Sequence, residues 1–144
     1  NAAFAASLQV TVHDAGNNPV AGATVTFATP ATGAGAALSS TTATTDAAGT
    51  ASVTATANVT AGAFSVTASV GAASANFALV NTAGPPSQVT ATGGTPQSAA
   101  INTAFGTALQ VTVLDAGNNP LAGATVTFAA PGTGASATLP SATA

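Results

Sequence analysis

The chain has 144 residues, no Lys, no Arg and only three acids, Asp14, Asp46 and Asp115, for a formal net charge of −3. Nucleic acid is thereby excluded as a partner, because phosphate neutralisation needs Lys or Arg. With no Cys there is neither a disulfide framework nor a thiol metal site, and no run reaches the roughly 18 apolar residues that a membrane-crossing helix needs.

Apolar residues make up 47% of the chain, and six Phe are its only aromatics. Cores built from them are thin, made of Val, Ala, Leu and a few Phe. Exposed faces must be solvated by Thr, Ser, Asn and Gln rather than by charge. Few groups titrate, so stability should depend little on pH. A surface with little charge repels its own copies weakly, which favours homopolymers or lateral bundling.

Asn1 to Ser7 reads as a lead-in, with Phe4 in a short edge strand. Leu8 to His13 alternates: Leu8, Val10 and Val12 face one way, and Gln9, Thr11 and His13 the other. That is the pattern of a half-buried strand. Asp14-Ala-Gly-Asn-Asn-Pro19 is dense turn chemistry. Ala23 to Ala28 resumes the alternation with Val25 and Phe27 inward. Leu38 anchors a short strand after the loop at 30–35. Thr41 to Thr45 is polar and β-branched, an expected edge strand. Asp46-Ala-Ala-Gly49 has the Asp and Gly of a type I turn.

Thr50 to Ala57 is expected as one strand with Ala51, Val53 and Ala55 inward. Ala63 to Val70 places Phe64, Val66, Ala68 and Val70 inward. A tight connection at Gly71 leads to Ser74 to Val80, with Ala75, Phe77 and Leu79 inward. The expected core is therefore Val10, Val12, Val25, Phe27, Val53, Phe64, Val66, Phe77 and Leu79. Asn81 to Pro86 breaks the pattern, and two successive Pro favour a stiff connector. Nothing has helical spacing. Short strands with turns every 8–12 residues predict an all-β, antiparallel sandwich.

The stretch Leu8 to Ala28 recurs at Leu109 to Ala129 with two changes, His13 to Leu114 and Val20 to Leu121. The offset, 101 residues from Asp14 to Asp115, suits one sandwich module per repeat. The expected organisation is a module at 1–83 lacking its first strand, a Pro-rich linker at 84–87, and the first half of the next module at 88–144. Each piece then has open sheet edges. Two explanations offer themselves: a window cut from a longer tandem array, which is preferred, or completion of the sheets by strands from neighbouring chains.

The repeated Leu-Gln-Val-Thr-Val-x-Asp-Ala-Gly-Asn-Asn-Pro-x-Ala-Gly-Ala-Thr-Val-Thr-Phe resembles the opening of bacterial immunoglobulin-like repeats of the invasin and intimin type. Thr44-Thr45-Asp46-Ala47-Ala48-Gly49-Thr50-Ala51 is similar to that family's Thr-Asp-x-x-Gly-x-Ala turn. Ala61-Gly62-Ala63-Phe64-Ser65-Val66-Thr67-Ala68 is similar to its Ala-Gly-x-Tyr-x-Val-x-Ala strand, with Phe64 where Tyr is commoner. The resemblance implies tandem sandwiches in long extracellular proteins of the bacterial cell surface. There most modules are spacers that carry an adhesive tip away from the envelope.

Chemistry has little material. The one His, His13, adjoins Asp14, but neighbours along a strand point to opposite faces, and Leu114 replaces it in the second copy. No enzymatic activity is expected. No cofactor is expected either. Asp14, Asn17 and Asn18, repeated as Asp115, Asn118 and Asn119, are candidate calcium ligands. Calcium takes six to eight oxygens, usually with several carboxylates, and one Asp per loop falls short unless Asp46 or backbone carbonyls join. The competing reading, that these residues cap turns, is preferred. Asn58-Val59-Thr60 fits a glycosylation sequon. Outward Thr pairs such as Thr24 and Thr26 or Thr54 and Thr56 fit cross-strand packing on a solvated face better than a flat binding surface.

The functional expectation is a spacer or stalk module whose partners are neighbouring modules of the same chain. Two rivals are a filament subunit completed by strand exchange between chains, and an adhesive module for host protein or glycan. The absence of Trp and Tyr counts against the latter.

Overall fold

The computed structural model describes residues 2–144; Asn1, the first residue of the expected lead-in, lies outside them. The chain divides into two compact units, Asn1–Ala83 and Gly84–Ala144. No helix is present among the described residues, and every strand pair is antiparallel.

Unit 1 is a two-layer sandwich. One layer has the order β4-β2-β7-β8, from β2 (Thr24–Ala28), β4 (Thr42–Thr44), β7 (Gly62–Val70) and β8 (Ala73–Asn81). The other is built on β5 (Thr50–Val53) and β6 (Ala55–Ala57), with β1 (Leu8–Thr11) on β5 and β3 (Ala36–Leu38) on β6. The lead-in extends the β1 side of this layer: Phe4 N–H donates to Ala55 O and Ala57 N–H to Ala2 O.

The expected single strand from Thr50 to Ala57 is thus two. Thr54 interrupts it: its N–H donates to Ser39 Oγ and its carbonyl accepts from Ser39 N–H. A side chain has entered the ladder, so the two halves take different partners. The alternation still carries across the break, and Ala51, Val53 and Ala55 are all buried.

Between the layers lie Leu8, Val25, Phe27, Ala51, Val53, Ala55, Val66 and Ala68. Val10, Val12, Phe64, Phe77 and Leu79 are half-buried and pack against this cluster, as do Phe4 and Leu38. The Phe4 and Phe64 rings meet edge to face, 6.2 Å between centroids, a favourable arrangement of ring quadrupoles. Ala75, expected inward, is exposed; β8 is the outer strand of its layer.

Polar residues close the turns. Asp46 Oδ1 accepts from the N–H of Ala48 and of Thr50, and Gly49 adopts φ +73°. A Cβ at Gly49 would lie 2.6 Å from Val12 O, so the turn is seated directly against the end of the β1 segment. Thr45, expected on a polar edge, is instead buried. Its hydroxyl accepts from Ala23 N–H and donates to Val20 O.

Unit 2 contains β9 (Pro86–Gly93) paired with β10 (Gln110–Asp115). Pro86 and Ser87, which composition assigns to a linker, begin β9. A proline is tolerated at the first residue of a strand because no ladder donor is needed there. The segment matching β2 makes one bridge, Thr127 with Thr143, and its N–H groups at Val126 and Phe128 donate to Ala144 O and Ala142 O. It is not a full strand, although its sequence from Ala124 to Ala129 equals that of Ala23 to Ala28.

Candidate functional site

Among the described residues, polar side chains gather at the two Asp-Asn loops and in a knot around Asn81. In the first loop Asp14 Oδ1 accepts from the N–H groups of Gly16 and Asn18, and Asn18 Nδ2 donates to both carboxylate oxygens. Asn17 takes φ 64°, which Asn tolerates better than most residues. The second loop repeats this. Asp115 Oδ1 accepts from Gly117 and Asn119 N–H, Asn119 Nδ2 donates to both oxygens, and Asn118 takes φ 61°.

These carboxylates are held by donors, and the Asn partner presents its nitrogen to them rather than its oxygen. The set is that of a turn cap. Among the described residues, no three His, Cys, Asp or Glu come together as a metal-holding group. Asp46 caps its own turn at 46–50.

The two loops differ in what covers them. Asp14 is exposed, whereas Asp115 is buried and takes a further bond from Gly84 N–H at 2.8 Å. Gln88 Nε2 also donates to Asn118 Oδ1. Hydrogen bonds to the ionised form favour it. The Asn18 N–H, then the Asn18 side chain, holds Asp14 below its ordinary value. The Asn119 side chain, then the Gly84 N–H, brings Asp115 down to about 2.

The knot lies at the end of β8. Asn81 is 5% exposed, and its Nδ2 faces Gly35 O, Asn58 Oδ1 and Thr60 O at 2.9–3.1 Å. Asn58 in turn donates from Nδ2 to Gly33 O and accepts Thr60 N–H on Oδ1. The sequon nitrogen at Asn58 is thus committed to fastening the 33–35 loop. Two loops and the last strand of unit 1 are tied by two amide side chains.

His13 is exposed, and its backbone bridges Pro19 as that of Leu114 bridges Pro120. Neither bridge needs a particular side chain at that position. Of the expected core, Val25, Phe27, Val53 and Val66 are buried, and Val10, Val12, Phe64, Phe77 and Leu79 are half-buried. Sequence reasoning missed Thr45 and Asn81. The signal available for Thr45 was its place before Asp46 in the Thr-Asp-x-x-Gly turn; Asn81 gave none.

Unit 2 also holds a cleft of about 500 Å³, lined by Leu109, Val111, Val113, Leu121, Val126 and Phe128 among others. Apart from Leu121, these are the counterparts of residues that form the unit 1 core or pack against it.

A search of the curated proteins returned no match. Among solved structures, the crystal structure of invasin, described as a bacterial integrin-binding protein, matches with a TM-score of 0.48 at 24% identity. The match covers 90% of this chain and 27% of that one, so the chain spans about a quarter of the matched structure. The sequence profile of the bacterial Ig-like domain (group 1) matches residues 1–82. That is more than half of the chain, which carries the antiparallel sandwich seen in unit 1 and belongs to the bacterial Ig-like domain (group 1) family.

Proposed function

We propose that this chain is a spacer: a length of tandem sandwich modules in an extracellular, adhesin-type protein of the bacterial surface, performing no catalysis. The observation that carries this reading is recurrence. A 21-residue strand-loop-strand stretch returns at an offset of 101 residues, and its loop keeps the same hydrogen bonds and the same positive-φ Asn. Repetition of scaffold residues is what a chain built to span distance requires. The one imidazole, His13, is Leu114 in the repeat, so no role that needs it is carried from module to module.

The mechanism is mechanical. Each sandwich holds its length through Val, Leu and Phe packing and through loops capped by Asp14, Asp46 and Asp115. The uncharged Thr and Ser faces leave neighbouring copies weakly repelled. The adhesive alternative takes its support from invasin, an integrin-binding protein, and it makes a different prediction.

Pulling the chain between handles should give a discrete unfolding event for unit 1. The purified chain should show no saturable retention on integrin-bearing cells or glycan arrays. Saturable binding competed by soluble ligand would overturn the spacer reading in favour of adhesion.

A further inference from the structure

Two side chains mark where unit 1 lets go of the chain and where unit 2 takes hold of it. Asn81, the last residue of β8, is buried, and its Nδ2 faces Gly35 O, Asn58 Oδ1 and Thr60 O. Its backbone pairs with Gly62. Unit 1 therefore holds the chain as far as Asn81. Beyond it, Gly84 N–H donates to Asp115 Oδ2 at 2.8 Å, and Pro86 pairs with Asp115 at the start of β9. Only Pro85 lies between those two points, and its ring fixes φ. Gln88 Nε2 ties β9 to the same loop again through Asn118 Oδ1. Unit 2 therefore holds the chain from Gly84 on.

Thr82 and Ala83 remain, and among the described residues no hydrogen bond holds either of them. The Pro pair, which composition marks as the linker, is thus part of unit 2. Asp115 divides its work between its oxygens. Oδ1 accepts from the N–H groups of Gly117 and Asn119 and so caps the turn, as Asp14 Oδ1 does in the first loop. Oδ2 accepts from Gly84 N–H. The contact reads backbone alone. A Cβ at Gly84 would lie 3.6 Å from Oδ2, an ordinary separation, so position 84 needs an N–H and no particular side chain.

We propose that the joint between the two units is Thr82–Ala83 alone, and that Asp115 Oδ2 is the clasp that keeps it this short by binding the incoming chain at Gly84. Without the clasp the unheld stretch grows to take in Gly84 and Pro85. A longer unheld stretch has more conformations to explore, so the carboxylate limits bending where one module follows another. That use rests on the spacer reading. The clasp itself rests on the hydrogen bonds around Asp115 and stands without it.

Backbone order parameters from nitrogen relaxation test the proposal on the unsubstituted chain, on Asp115→Asn and on Asp14→Asn. The Asp115→Asn side chain keeps one oxygen for the turn cap but offers an NH2 group where Gly84 N–H needs an acceptor. In the unsubstituted chain Gly84 should be as ordered as the strands, near ~0.85, with Thr82 and Ala83 lower. In Asp115→Asn, Gly84 should fall to the level of Ala83 while Val113 and Leu121 keep their order. Asp14→Asn should leave Gly84 unchanged. A Gly84 as mobile as Ala83 in the unsubstituted chain would overturn the clasp, and that result needs no variant to fold. A Gly84 that stays ordered in Asp115→Asn would overturn it as well, since Pro85 and Pro86 would then suffice. Thr82 and Ala83 as ordered as the strands would overturn the two-residue joint. None of these failures touches the spacer reading, which recurrence carries and which the pulling and binding experiments test separately.

Discussion

Leu8–Ala28 and Leu109–Ala129 differ at two positions, yet one is part of a closed sandwich and the other is half open. Their loops are the same. Asp14 and Asp115 take matching bonds from the residues two and four further on, Asn17 and Asn118 share a left-handed backbone, and Gly22 and Gly123 have φ 76° and 72°. Their second strands are not the same. Thr24–Ala28 pairs on both sides, with β4 and β7, while its counterpart has only the β4-like side. The turn is decided by contacts within about five residues, so it forms wherever its sequence occurs. The strand is decided by partners some forty residues away, as with Phe27 and Ala68, so the same sequence does not suffice.

The largest test of this contrast is the matched pair Phe27→Ala and Phe128→Ala. Phe27 is fully buried, and its loss should cost about 3–5 kcal/mol in unit 1. Phe128 is half-buried beside the cleft, and its truncation should cost less, about 1–2 kcal/mol, because part of its area is wet already. Urea unfolding followed by residue-resolved hydrogen exchange separates the units. Equal costs would mean that unit 2 closes on its own core in solution.

Gly49→Ala sharpens the other half of the comparison: a turn is decided locally, but it must still seat against a distant segment. The substitution forces a Cβ to within 2.6 Å of Val12 O at φ +73°. It should destabilise unit 1 by about 2 kcal/mol and leave exchange in Gln88–Val113 unchanged. A loss under about 0.5 kcal/mol would show that the turn shifts at little cost.

Period-two alternation was enough to place Val25, Phe27, Val53 and Val66 in the core, because a strand with one dry face has no other way to bury them. The Asp-Asn loops were equally legible, since Asx capping is written within a few residues. Three features were not. The break at Thr54 depends on Ser39, fifteen residues earlier. The burial of Thr45 depends on Val20 and Ala23 across the layer. Asn81 reads as the residue where the alternation ends, yet it is the amide that joins the 33–35 and 58–60 loops. Each is a polar group bonded to a distant part of the chain, and periodicity carries no information about such partners.

The smallest expected effect lies in the acid range, and it compares the two loops directly. Asp115 ionises at about 2 in the folded chain, against an ordinary value of 3.8, and Asp14 is also lowered. A carboxylate with a depressed folded value binds its proton more readily in the unfolded chain. Its contribution is therefore fully present above the unfolded value, declines as pH falls from about 4, and is gone below about 2. Amide shifts of Gly117 and Asn119 should titrate with a midpoint near 2, and those of Gly16 and Asn18 with a higher one, because only Asp115 receives the Gly84 N–H. Asp115→Asn should remove the acid dependence of unit 2 and leave the Gly16 titration in place. Coincident midpoints would mean that the Gly84 contact is not kept in solution, and that the two loops differ in nothing but their exposure.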